Sequence, residues 1–206
     1  MTASERPRAG RKRSEASRTA ILTAALDLVR AHGYAAVSID AIAAEARVGK
    51  HTIYRWWRSK AEVLLQALSE ATDEQVVPVE TGALESDLRE RLALIFSLSS
   101  HEQPASHLLR ALMAEAQLDP AFHALFKGYI ERRRGHLRAV FERARDRGEV
   151  AEGVDLETLI DMVLGAMWYR RLIQHGPLDR PFAESLARIT AHTARTALPA
   201  GRGGAG

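Results

Sequence analysis

Five side chains in the first third of the chain are spaced to read a polyanionic duplex: Lys50, His51, Thr52, Tyr54 and Lys60. Lys50 and Lys60 bracket a short segment with positive charge, and the hydroxyl of Tyr54 can reach a phosphate. His51 and Thr52 fall at the amino end of that segment, where side chains of a docked helix meet base edges. The chemistry is recognition, not bond-making. An exposed surface carrying ordinary lysines is the plainer alternative, and it is the elements holding these residues that weigh against it.

Those elements are readable. Ser38 is a good helix N-cap, and Asp40 adds an acid in the first turn. Ile39, Ile42, Ala43 and Ala46 then share one face at helical spacing. Arg47, Val48 and Gly49 break the pattern, and a second short helix is expected from about Lys50 to Trp57. Ser59 and Glu62 form an S-x-x-E capping box that opens a third helix through Val63, Leu64, Ala67 and Leu68. Two short helices joined by a turn of three or four residues make a helix-turn-helix, whose second member can lie in the DNA major groove. Trp57 is expected to pack inward as a brace, leaving Trp56 to flank the DNA backbone.

The stretch GKHTIYRWWRSKAEVLLQAL resembles the recognition segment of TetR-family transcriptional regulators: a small residue, Lys, Thr-Leu-Tyr, an aromatic pair and Ser-Lys. The likeness covers Arg18 to about Leu68 by motif and the remainder by helix pattern and length. It implies that Lys50, His51, Thr52, Tyr54 and Lys60 meet DNA and that Ser38 touches a phosphate. One departure stands out. Arg47 occupies the place of a turn glycine, so a left-handed backbone there would cost roughly 1 kcal/mol or more.

Bulk properties agree. The 206 residues suffice for one or two domains with a real core, and 46% hydrophobic residues is a globular composition. Charge is uneven: residues 1–60 hold twelve Lys+Arg against five Asp+Glu, or +7, and the rest seventeen against twenty-one, or −4, which together give the net +3. A basic first quarter on a mildly acidic body suits one end meeting a polyanion. With no cysteine, disulfides and thiolate metal sites are excluded. No apolar run approaches a membrane span and no secretory signal is evident, so the expected location is cytoplasmic.

Taken in order, residues 1–17 are polar and basic, with Arg8, Arg11, Lys12 and Arg13, and are expected to form a flexible arm. It either follows DNA into the minor groove or is a solvated tail. Residues 18–62 are the expected helix-turn-helix domain, its first helix running from Arg18 to about His32 and ending at Gly33. Residues 63–198 are the expected larger helical domain for ligand binding and dimerisation. The helix beginning at Ser59 would be the lever between the two. After a linker around 76–82, helices are expected at 84–98, to about Gln117, and from the Asp119-Pro120 start signal to Gly148. The Arg132–Arg134 run on the last of these reads as a solvated face. Asp155 opens a helix to about His175 that is apolar almost all round, and a final helix follows to about Ala197. A helix without a polar face must bury two sides, so the last two helices, about 155–175 and 181–197, are expected to pair with those of a second chain. Residues 199–206 read as a disordered tail.

Several signals mislead. The tail GRGGAG fits G-x-G-x-x-G but follows no strand and opens no helix, so it cannot cradle a phosphate. His101-Glu102 and His107 have the wrong spacing for a metalloprotease, and no metal or cofactor is expected. Met113, Phe126, Tyr129, Met167, Trp168 and Tyr169 are candidates to line a small-molecule pocket, against ordinary core packing. Glu115 and Asp161 would meet a cationic ligand if buried. The resulting expectation is an all-α, two-domain homodimer, not an enzyme, that binds a palindromic operator and is released by a small-molecule effector. The alternative is a non-regulatory ligand-binding or interaction protein on the same helical fold.

Overall fold

The computed structural model describes residues 7–73, 79–97 and 103–196, with side chains from Ser14 onward. The tail at 199–206, His101-Glu102, residues 76–78 of the linker and the first six residues of the arm lie outside that range. Among the described residues there are nine α-helices and no strand. They fall into two compact units. One takes the described residues up to 73 together with 107–129, and the other takes 79–97, 103–106 and 130–196.

In the first unit, α1 (Pro7–Ala36) begins eleven residues earlier than the sequence suggests. Residues 7–17 are therefore helical, which corrects the flexible arm. Their composition explains it: proline is at home in a helix's first turn, and Ala, Arg, Lys and Glu are good helix formers. Gly33, at φ 76° and ψ 165°, breaks this helix where a glycine C-cap was expected. Then come α2 (Ile39–Glu45), α3 (Lys50–Tyr54) and α4 (Lys60–Asp73). α1 packs on α2 and α4, and α2 on α3. Ile21, Ala25, Ile42, Ile53, Val63 and Leu64 are sealed from solvent in this core. α4 carries seven buried residues. It thus belongs wholly to the first unit, and a division at 62/63 is not where the contacts fall. The unit is completed by most of α6 (Pro104–Leu118) and the start of α7 (Pro120–Asp146).

The second unit is built on α5 (Leu84–Ser97), the remainder of α7, α8 (Leu156–Ile173) and α9 (Arg180–Arg195). α9 packs on α5 and on α8. Leu88, Leu92, Phe96, Val140, Phe141, Ile160 and Val163 form its centre. Caps set the boundaries: Asp119, Asp155 and Asp179 each accept backbone N–H groups at the starts of α7, α8 and α9. Two charged features escaped the sequence reading. Asp87 is fully buried, accepting from Thr81 N–H at 2.6 Å, the Thr81 hydroxyl at 2.8 Å and Arg147 at 3.1 Å. Arg134 is no solvated residue but the hub of ion pairs to Glu157 at 2.6 Å, Glu131 and Asp161. Asp161 itself is exposed, so it is not a buried carboxylate awaiting a cationic ligand.

Candidate nucleic-acid interface

The short rod α3 has an inner and an outer side. Ile53 is fully buried, and Trp57, just beyond the helix, is 3% exposed and donates its indole N–H to Gln66 Oε1 at 2.6 Å. These two side chains hold the rod onto the unit, as a large aromatic must be buried to stabilise. The helix stops at Tyr54, three residues short of expectation, because residues 55–57 turn to bring Trp57 inward. Lys50, His51 and Tyr54, one turn apart, face outward, Tyr54 with 56% of its surface exposed. Thr52 is half-buried at the flank of that face. Trp56 is also exposed, 42%, with its ring 6.3 Å from that of Trp57.

The turn before the rod is built as the spacing requires. Arg47 adopts φ 54°, a left-handed backbone in a residue that carries a Cβ. Gly49 caps the rod, and a Cβ added there would stand 3.0 Å from His51 Nδ1, so glycine keeps the imidazole free. Ser38 accepts the Ala41 N–H at 3.2 Å and caps α2, which leaves its exposed O–H to donate outward. Lys50 pairs with Asp40 across the turn, both well exposed. Such a pair is weak enough for a phosphate to replace it.

Lys60 is placed differently from the other five. Its ammonium donates to Val37 O at 3.0 Å and Tyr34 O at 3.3 Å, and lies 4.4 Å from the centre of the Tyr34 ring. Two of its three N–H groups thus close the end of α1, and one remains. The capping box of α4 is also modified: Ser59 accepts the Glu62 N–H, but Glu62 reaches back to the Arg58 N–H at 2.9 Å. The sequence reading missed Arg55, exposed at the end of the rod, which donates to Ser14 of α1 at 3.4 Å and lies over the Trp56 ring. Its signal was present as one of two further cations, with Arg58, between Lys50 and Lys60.

Beneath this surface, the Tyr34 hydroxyl donates to Glu115 of α6 at 3.2 Å. Burial first, then the Glu115 charge and hydrogen bond, push the Tyr34 phenol up to about 12. Glu115 is therefore already engaged. Of the candidate pocket residues, Met113, Phe126 and Tyr129 lie in the first unit, where Phe122, Phe126 and Tyr129 form a chain of rings with centres 6.3 and 5.9 Å apart. Met167 is buried in the core of the second unit and Trp168 is half-buried under the Arg171 guanidinium. Tyr169 is 59% exposed, its ring centre 4.6 Å from that of His175 and tilted to it, so it lines no enclosed pocket among the described residues. No group of three His, Asp or Glu able to hold a metal occurs among the described residues.

Family models match both regions: "Bacterial regulatory proteins, tetR family" over residues 21–67 and "Tetracyclin repressor-like, C-terminal domain" over residues 78–190. The chain belongs to the TetR family. It is 33% identical to the uncharacterized HTH-type transcriptional regulator YdeS of Bacillus subtilis over 86% of this chain and 89% of that protein. It is likewise 33% identical to the DNA-binding transcriptional repressor TetR of Mycobacteroides abscessus, over 82% and 89%. The crystal structure of the TetR family transcription regulator SCO0332 superposes with a TM-score of 0.76 at 26% identity, covering 88% of this chain and 99% of that one. The protein is a DNA-binding transcriptional regulator of this family, whose members usually act as dimers and respond to small molecules.

Proposed function

We propose that this TetR-family protein is a repressor that binds a palindromic operator as a homodimer through α3 and releases it on binding a small-molecule effector. The observation that carries the reading is the two-sided rod, with Ile53 and Trp57 anchored and Lys50, His51 and Tyr54 presented outward. Ser38, Tyr54 and the remaining N–H of Lys60 contact phosphates and set the register, while His51, Thr52 and Lys50 reach base edges. Two-fold symmetry places the two rods about 34–36 Å apart, one turn of DNA.

Dimerisation through α8 and α9 is supported by the apolar side chains they leave on the surface. Met162 is 44% exposed, and Tyr169, Leu172, Ile173 and, on α9, Ile189 are exposed as well. Gly165 lies among them with open space where its Cβ would be, so a partner helix can approach closely. Tyr169 thus serves this face and not a pocket. An effector held by the C-terminal helices would favour a dimer with a wider rod spacing and weaker operator affinity. A repressor of this kind works beside the chromosome, in the cytoplasm.

The test is selection of bound fragments from genomic DNA, followed by gel shifts with the selected operator. His51→Ala and Thr52→Ala should change which base is preferred at one position of each half-site, by about 1–3 kcal/mol of discrimination. Tyr54→Phe should weaken all sequences alike. Unaltered base preference in both of the first two variants would refute the readout assigned here.

A further inference from the structure

Arg91, in the middle of α5, is only 5% exposed. Its Nε is buried without a hydrogen-bond acceptor, and no carboxylate of the described residues lies within ion-pair reach of it. The charge that bears on it is another cation. Burial and the neighbouring Arg143 of α7 hold the Arg91 guanidinium below the ordinary arginine value. The acids nearby are committed elsewhere: Asp87 to Arg147 and Thr81, and Glu149 to Arg147, Arg195 and the Leu84 N–H. Arg143 is only partly satisfied, with Val79 O at 3.3 Å and the exposed Glu80 carboxylate 3.4 Å from an Nε that makes no hydrogen bond. A guanidinium cannot shed its proton at any ordinary pH, so a buried one without a counter-ion is costly.

We propose that Arg91, backed by Arg143, is the receptor for the oxyanion head of a small apolar molecule, a carboxylate or a phosphate ester. The planar fork of arginine matches both heads, and the two cations that repel one another alone are both relieved by a single anion between them. The apolar body follows from the surroundings. Leu84, Leu88 and Ile95 share the Arg91 face of α5, and Val140, Phe141 and Ala144 flank Arg143 along α7. The site would hold the effector's head, and for that consequence alone it rests on the ligand-responsive reading above.

The test uses the full chain and three probes, octanoate, octyl phosphate and the neutral octanol, by calorimetric titration and thermal unfolding. At least one of the two anions should bind and raise the unfolding midpoint, while octanol at equal concentration does not. Arg91→Met should weaken that binding roughly ten- to hundredfold, the loss of one charged hydrogen bond. Arg91→Lys should retain part of it. Without ligand, Arg91→Met should unfold at the wild-type temperature or above, because it removes an unpaired buried charge. The proposal is overturned if neither anion binds, if octanol binds as well as they do, or if Arg91→Met binds unchanged. A ligand-free Arg91→Met markedly less stable than wild type would also overturn it, by revealing a partner already in place. Operator gel shifts with the bound anion separate the two readings. Arg91-dependent binding that leaves operator affinity unchanged keeps the site and refutes its role as the effector site.

Discussion

Replacing Lys60 with methionine separates two roles that the motif alone merges. If Lys60 were only a phosphate contact, the change would leave folding intact and lower the slope of log affinity against log salt by about 0.9. The geometry demands more. The ammonium gives hydrogen bonds of 3.0 and 3.3 Å to the carbonyls of Val37 and Tyr34, at the junction between α1 and α2, and sits over the Tyr34 ring. A hydrogen bond to a charged group contributes roughly 1.5–3 kcal/mol when buried, and an exposed cation–π contact about 0.5–1 kcal/mol. Lys60 is half-buried, so solvent screening and the length of the second bond bring the total to about 2 kcal/mol. For a chain of this length that is a fall in unfolding midpoint of roughly 4–8 °C. Lys60→Met should therefore lower the melting temperature by that amount and also lose about one unit of salt slope. Differential scanning calorimetry and gel shifts across a salt series read the two effects independently. Tyr54→Phe is the control, weakening DNA binding with the midpoint unmoved, since its hydroxyl has no partner among the described residues. An unchanged midpoint in Lys60→Met would show that the carbonyl contacts carry no weight and that the residue is a phosphate ligand alone.

Arg47→Gly should raise the unfolding midpoint by a few degrees, since glycine relieves roughly 1 kcal/mol at a left-handed backbone, and base preference in gel shifts should not change. Arg138 and Arg134 together hold the Glu157 carboxyl at about 2, well below its unfolded value. Its contribution to stability is therefore complete above about pH 5 and is lost as pH falls toward 2; urea unfolding of Glu157→Gln should show a shallower loss over that window than wild type. Met162→Glu together with Ile173→Glu should shift the protein toward monomer in analytical ultracentrifugation, because charge would have to be buried against a second copy.

What the sequence showed well is what short segments decide by themselves. Ser38, Asp119 and Asp155 announce helix starts because a capping side chain bonds backbone N–H groups two or three residues on, and each does so. Gly33 and Gly148 mark helix ends because both sit at φ 76°, where other residues are strained. The recognition motif was legible for the same reason, its spacing, anchors and turn all lying within about twenty residues. Boundaries drifted where local preference met a distant demand. Charge made residues 7–17 look disordered, although most of them, Gly10 apart, are adequate or good helix formers. The helix expected to reach Trp57 ends at Tyr54 because that indole turns toward Gln66.

Charges were the hardest to place, since their meaning depends on partners far along the chain. Nothing in Arg132-Arg133-Arg134 singles out the third, yet Glu157 and Asp161 make it a hub more than twenty residues away. Asp161 looked like a pocket acid and is an exposed strut of that hub, while Asp87, which nothing in the sequence singles out, is sealed against Arg147. The same nonlocality gives Arg91 its significance. In the sequence it is one of four charges in Arg89-Glu90-Arg91 and Asp87, a pattern that suits a solvated face. Only the packing of α5 pairs Glu90 with Arg89 and Arg180, spends Asp87 on Arg147 and leaves the buried guanidinium of Arg91 without an acid and under the repulsion of Arg143. Burial that removes a charge from water while assigning its neighbouring acids elsewhere creates a demand that an anion from outside the chain can meet.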